Sequence, residues 1–590
     1  MISHKTLGYQ LTDDCIEQCA QCIERSDATT LIEQFYQEQR GVGGRRTTGP
    51  VYSILGVLTI GLALLIIGRV PSLAEILRVL SALPDHQLAR VGMDPAKRPR
   101  STDYPAFRGW LTRRLEPLDQ GIDLPARRVT NKEHRAQLAA RTAAQQVASE
   151  LARDRLLIVV NRIIAASIED PAPQGGRGDV VIDESIVLLA GADKGLGSRD
   201  EKRRGAAYSG KFFARELADN SVTDGEKVRR VGKHGVGIGI TAVSRLGPPD
   251  DLYAIAPVIT AVALHHPTSA SIPSARIALG MHQLNGLDQR LGPRARHPYL
   301  TVDMAYNQKQ GFNDMCLDLG YSPVVRYPVL WNTVFASESP EHIVDGQPAG
   351  PVQLAGDFYC PAAQSMASKW KLVRKTVDLK DEKDGFDQHD RRLEKLLPLL
   401  MGTNSRPYRK RKRTGRPKNG EDVEDQRVRV DLVCPAVQGR VRCPLKPASL
   451  SINDPAIPTL NPTWSAERYR CCSKSQVTVA LSDNQWRMAT WGLTPGSWEH
   501  ATYFEAARSA TEQRFSSLKS PHLAGFEHLK WSPRREPMIS LLIALWVAAT
   551  NVSIQESYRN GRARSSSIKK RKNQIREDLG RFPVRIPPRT

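Results

Sequence analysis

Apolar and polar positions alternate along this chain with three different textures. The first is helical. "VYSILGVLTIGLALLIIG" (51–68) is almost wholly apolar, so it reads as a helix buried on every side. "PSLAEILRVLSALP" follows it, with a stripe at Leu73, Ile76, Leu77 and Leu80 and with Ser72 and Glu75 at capping-box spacing. Residues 130–168 are Ala-rich with helical period, and "DPAPQGGRG" (170–178) breaks them. The second texture begins at Asp179. "DVVIDESIVLLAG", "KHGVGIGITAVSRL", "LYAIAPVITAVALHH" and "HPYLTVDMAYN" are short apolar or β-branched runs that read as strands. A helix, a turn and another strand follow in "NQKQGFNDMCLDLGYSPVVRYP". Strands mixed with helices predict an α/β fold, a mixed sheet flanked by helices over roughly 176–330. The third texture, 353–480, is rich in charge and holds most of the remaining cysteines, as an insertion would. Helical period returns from Trp486 onward. The expected units are an N-terminal helical arm (1–45), a helical domain with connecting helices (46–175), a first sheet part (176–352), an insertion with a basic loop (353–485), a second core part (486–558) and a basic tail (559–590).

Composition changes this picture in one respect. Lys and Arg exceed Asp and Glu, 84 against 62, for a net charge of +22. A surplus of that size points to a polyanionic partner. The nine cysteines are few for 590 residues, and no secretory pattern opens the chain, which reads as a reducing cytosol without a disulfide framework. The run 51–68 is near the length of a membrane span. Its arginines lie on both sides, Arg45 and Arg46 before and Arg69 after, and a capped amphipathic helix follows at once. A core helix is the expectation, and no membrane partner.

Two carboxylates stand inside apolar strands: Asp183 in "VVIDES" and Asp303 in "YLTVDMAYN". A carboxylate there needs a cationic side chain or a metal ion beside it. A third lies in "EAARSATEQRFSSLK" (505–519). On a helix, Arg508, Glu512 and Lys519 fall within roughly 40° of one another. Phe504, Ala507, Thr511, Phe515 and Leu518 make the neighbouring face that would pack. If Asp183, Asp303 and Glu512 converge, they form an oxygen site suited to two Mg2+ or Mn2+ ions. Glu184 belongs on the opposite side of its strand from Asp183.

These blocks together resemble bacterial insertion-sequence transposases of the DDE type, in the branch marked by a Tyr-x2-Arg-x3-Glu-x6-Lys signature. "VVIDES", "TVDMAYNQKQGFNDMCLDLGYSPVVRYP" and "YFEAARSATEQRFSSLK" carry the resemblance, in order, over most of the chain. Arg508-x3-Glu512-x6-Lys519 fits the signature. Glu505 stands where its Tyr belongs, and Tyr503 comes two residues earlier. The resemblance implies a ribonuclease H-like catalytic core interrupted by an insertion, and a helical DNA-binding region near the N-terminus. It implies Asp183, Asp303 and Glu512 as catalytic metal ligands, with Tyr503, Arg508 and Lys519 on DNA. The expected activity is metal-dependent cleavage at transposon ends and strand transfer into target DNA, by a homodimer acting on double-stranded DNA at the bacterial nucleoid. A catalytically inactive, transposase-derived DNA-binding protein is the alternative.

The basic segment "RPYRKRKRTGRPKNG" (406–420) adds Arg409, Lys410, Arg411 and Arg416 as candidate DNA contacts, in the minor groove or on phosphates. Trp486, Trp491 and Trp498 read as core aromatics before base-stacking platforms. "CIEQCAQC" (15–22) has the spacing of a cluster-binding loop but reads as helix. Cys434, Cys443, Cys471 and Cys472, with or without Cys360, are zinc-capable residues, but no Cys-x2-Cys pair stands among them, and the zinc reading is set aside here.

Overall fold

The computed structural model describes residues 11–40, 52–125, 127, 129–190, 207–218, 229–269, 272–289, 297–303, 306, 310–327, 334–335, 343–344, 346–367, 371–403, 405–409, 427–518, 528–529, 535–561 and 567–588. The chain opens with helices α1 (Asp13–Arg25) and α2 (Ala28–Arg40). The apolar run forms α3 (Ile54–Ile66), whose first turn is closed by Ser53, its Oγ accepting the Gly56 N–H. Next comes α4 (Leu73–Ala82), where Ser72 accepts the Glu75 N–H as its spacing predicts. Helices α5 (Tyr104–Leu115) and α6 (Ala143–Ala166) complete this part.

The sheet follows. Strand β1 (Val180–Leu189), β2 (Lys211–Ala218), β3 (Arg229–Arg245) and β4 (Ile259–His265) are antiparallel neighbours, β3 pairing with the other three. Helix α7 (Ile272–Leu284) leads to β5 (Tyr299–Val302), and α8 (Phe312–Leu319) to β6 (Ser322–Val325). Strand β5 is parallel to β1, and β6 is parallel to β5. The order across the sheet is β4-β3-β1-β5-β6, with β2 also paired to β3. Gly239 in β3 is required by a neighbour: a Cβ there would stand 2.6 Å from the His265 ring.

The insertion contributes β7 (Val352–Leu354), β8 (Asp357–Tyr359), α9 (Gly385–Leu396), β9 (Arg429–Val433) and β10 (Gln476–Ala480), with β9 and β10 antiparallel. The chain then returns to the sheet with α10 (Trp498–Leu518), the short β11 (His528–Leu529) beside β1, α11 (Glu536–Arg559) and α12 (Ser567–Leu579).

Strand alternation sorts β1 into two faces. Val180 and Ile182 face α7 and α8. Val181 faces α10, while Val187 and Leu189 join the largest core, which runs through α1, α3, α4, α6 and α11. Ile16, Ile60, Leu77, Val160, Ile238 and Leu545 all belong to that one core. The helices expected as a separate N-terminal domain are therefore packed as a layer of the sheet's own core.

The membrane question resolves on the same layer. Among the described residues one helix is long and apolar enough to cross a bilayer, and it is α11, not 51–68; 89% of its apolar window is buried inside the protein. Asn551 on α11 is a further sign of a protein interior. Its side chain accepts the Ile259 N–H at 2.9 Å and donates to the Ile259 carbonyl at 2.8 Å.

Glu536, at the start of α11, is buried and accepts from the Ser209 N–H, the Ser209 hydroxyl and the Gln120 amide at 2.6–2.8 Å. Burial pushes its carboxyl above the usual range despite these donors. An acid with a raised folded pKa contributes stability below its unfolded pKa and loses it as pH rises through the folded value. Wild type is therefore expected to lose stability relative to Glu536→Gln as pH rises above about 4, measured as the difference in melting temperature. A difference that is flat in pH would exclude this role for Glu536.

Candidate active site

Asp179 and the strand pairing decide what lies beside what. Asp179, fully buried just before β1, accepts the Tyr299 N–H on its carboxylate at 2.6 Å, and its carbonyl accepts the Leu246 N–H. This pins the start of β5 to the start of β1. Val180 is then level with Leu300, and Val181 with Thr301. Carried two residues further, the register sets Asp183 level with Asp303, on the same face. Both carboxylates come to the side that α10 covers.

Helix α10 lies close to the sheet because its inner face is small: Tyr503, Ala506, Ala507 and Ala510 pack on Val181, Tyr299 and Val324. Of the expected packing face, Ala507, Thr511 and Leu518 are buried and Phe504 and Phe515 half-buried; Tyr503, Ala506 and Ala510 are buried beside them. That burial decides the role of Tyr503. Only 1% exposed, it sets its ring edge-on to Tyr299, centroids 5.2 Å apart, and cannot reach DNA from there. The expectation of a DNA contact at Tyr503 is corrected. Glu505 is also engaged elsewhere: it accepts from the Thr376 N–H at 2.8 Å and pairs with Arg571 of α12. It ties the C-terminal helix down.

Arg508 and Glu512 lie on the flank of α10 facing the carboxylates. Arg508 Nη1 donates to Asp183 Oδ2 at 3.0 Å, and its Nη2 lies 3.7 Å from Glu512 Oε1. Asp183 is nearly covered, its side chain 15% exposed, whereas Glu512 is 68% exposed. Burial pushes the Asp183 carboxyl above its usual range; Arg508 and the Glu184 amide draw it back, and the charge of Asp303 pushes it up further. Asp183 thus feels Asp303 directly.

A pair of neighbouring, largely covered carboxylates offers the oxygen donors that a hard divalent cation takes. Asp183 and Asp303 fit such an ion in charge and donor type, and Glu512 lies 3.7 Å from the guanidinium that Asp183 binds. Among the described residues no three Asp, Glu, His or Cys side chains stand in ligating geometry. Here the guanidinium of Arg508 supplies positive charge to Asp183 and Glu512. Arg508→Ala is expected to destabilise the chain by about 2 kcal/mol, less than a fully buried pair because of the partial exposure. Millimolar Mg2+ should then raise the melting temperature of the variant more than that of wild type. Equal shifts in both would show that Arg508 and the cation do not share a place.

Behind the sheet, Glu184 lies on the other face. Thr241 Oγ1 there is 2.8 Å from His265 Nε2 and 3.2 Å from the Tyr306 hydroxyl. Burial, together with the charges of Glu184, Asp183 and Asp303, pushes the Tyr306 phenol upward. Asp179, Thr241 and His265 were not singled out from sequence. Only Asp179 left a signal there, as an acid at the mouth of an apolar strand.

The remaining candidates divide. Arg409 pairs with Asp314 and Asp318 of α8, so it holds the insertion to the core rather than presenting a free cation. Lys410, Arg411, Arg416 and Lys519 lie outside the described residues. Trp486 stacks on Trp491 at 5.3 Å and donates to Asp314 at 2.9 Å, and Trp498 donates to the buried Asp390 at 2.8 Å. They are core aromatics. Comparison with protein-family models, with curated proteins and with solved structures found no match to this chain.

Proposed function

We propose that this chain is a DNA transposase of the DDE type, built on a ribonuclease H-like core. One observation carries the reading: Asp183 and Asp303 are level on neighbouring parallel strands, under a helix that brings Arg508 and Glu512 to the same face. The strand arrangement supports it. An antiparallel β1-β3-β4 set is extended past β1 by two parallel strands reached through helices, and the insertion interrupts the chain between β6 and α10. The charge of +22 suits double-stranded DNA as partner; a homodimer on the DNA ends, in the cytoplasm of a bacterial cell, belongs to the same proposal.

Asp183, Asp303 and Glu512 would hold two Mg2+ or Mn2+ ions. Such ions, when bound, supply Lewis-acid stabilisation of a phosphodiester displacement and a reactive water at neutral pH. The chain's own part is placement. Asp179 and the β1–β5 pairing keep Asp183 and Asp303 side by side, and the face of α10 packed on the sheet carries Arg508, which links Asp183 to Glu512. Arg508, once released from Asp183, is a cation at the edge of the site that can take a DNA phosphate.

The test is direct. Purified chain is incubated with linear DNA carrying the ends of its element. Cleavage at the ends, leaving 3′-hydroxyls that join to target DNA, is expected with Mg2+ and not in EDTA. Binding without cleavage at any Mg2+ or Mn2+ concentration would favour the inactive DNA-binding protein instead.

A further inference from the structure

Five cysteines far apart in sequence meet in the insertion. Cys360 follows β8, Cys434 and Cys443 follow β9, and Cys471 and Cys472 precede β10. All five line one small cavity of about 20 Å³, otherwise walled mainly by Met401, Val441, Leu445 and Leu460. None is in a disulfide. The cavity has room for one water-sized occupant, yet its lining is apolar apart from sulfur and Lys446.

Three of the five open the same kind of turn. Each is followed by proline: Cys360-Pro361, Cys434-Pro435 and Cys443-Pro444. In each, the amide three residues on donates to the cysteine carbonyl, from Ala363 at 2.9 Å, Val437 at 3.0 Å and Lys446 at 2.9 Å. Three repeated Cys-Pro turns thus set three sulfurs around one cavity, an arrangement that suits a thiophilic cation.

The fourth position separates Cys471 from Cys472. The Cys471 sulfur packs against Gly350, 2.2 Å from where a Cβ would stand, and Gly350 has a φ of +105°, which assigns the fourth position to Cys472. We propose that Cys360, Cys434, Cys443 and Cys472 bind one structural zinc ion, which staples three segments of the insertion together. Four thiolates are a complete tetrahedral set for zinc. Their sulfurs are not yet at ligating geometry, so the ion would draw them in by rotation about Cα–Cβ, with the thiol protons released to solvent. Spacing alone hid this site, because each Cys-Pro turn brings one sulfur instead of the two of a Cys-x2-Cys knuckle.

The test uses the full chain, purified without chelator from zinc-supplemented cells. Elemental analysis is expected to find one zinc per chain, lost in Cys434→Ser and Cys443→Ser and kept in Cys471→Ser and Cys19→Ser. Because the ligand variants can misfold, cobalt is also exchanged into the wild-type chain, where intense thiolate-to-cobalt charge-transfer absorption with tetrahedral bands is expected. Zinc well below one per chain together with no thiolate–cobalt absorption would overturn the proposal. So would loss of zinc in Cys471→Ser with retention in Cys472→Ser, or iron in place of zinc. The outcome is independent of DNA cleavage, so it stands or falls apart from the transposase reading.

Discussion

Asp303→Asn is expected to lower Mg2+-dependent cleavage of end DNA by more than about a hundredfold, since loss of an outer partner of a metal ligand alone costs 10–100-fold. Binding to the same DNA and the melting temperature should change little. The substitution keeps the shape of the side chain and removes one charge at the end of β5. It also removes the repulsion that helps to raise the Asp183 carboxyl, so the fold gains or loses little while the cation loses a ligand. Cleavage assays and gel-shift titrations on one preparation separate the two effects. Cleavage at wild-type rate would remove Asp303 from the site. Parallel loss of binding and thermal stability would make it a structural residue.

The second large effect is expected in the shared helical core. Leu545 of α11 packs over Gly61 of α3, where a Cβ would stand 2.9 Å from its Cδ1. Leu545→Ala should destabilise the chain by about 2–5 kcal/mol, through lost burial and the cavity left behind. Gly61→Ala should also destabilise, though less, since its methyl forces the buried Leu545 Cδ1 to shift within the packed core. The double variant is expected to be more stable than the sum of the two losses predicts, because the added methyl enters the space that the leucine vacates. Urea denaturation of the four chains measures this cycle. Strict additivity would mean that the two helices do not meet at these residues. Because the N-terminal helices and α11 share this core, loss of the contact should expose both to proteolysis together.

Periodicity read well where one face was apolar or where burial was complete. The run 51–68 is a core helix, and Ser72 caps the helix after it. The runs at 179–191 and 297–307 contain β1 and β5, and the run at 233–246 covers all of β3 except its first four residues. The long helix α11 was read only as a return of helical pattern, since a helix apolar on nearly all sides has no polar face to mark its length. In α10 the expected face is buried at Ala507, Thr511 and Leu518, but the contact is wider and takes in Tyr503, Ala506 and Ala510. Alanines in a mixed helix look neutral, yet Ala506, Ala507 and Ala510 are what lets it lie on the sheet. The family signature put Tyr503 on DNA, and only the packing shows it buried.

The carboxylate pair and the cysteine cluster show the division most plainly. From residues alone it followed that Asp183 and Asp303 sit in apolar strands and need a cation, that Arg508 and Glu512 share a helical stripe, and that the chain is basic enough to seek a polyanion. These are local facts of chemistry and period, and they survive any arrangement of the elements. Which strand lies beside which is not local. It was decided by Asp179 clamping β5 to β1, by the order β4-β3-β1-β5-β6, and by loops that bring Cys360 to Cys434, Cys443 and Cys472 from more than seventy residues away in sequence. Long-range pairing depends on the burial of many faces at once, and no window along a chain contains that information.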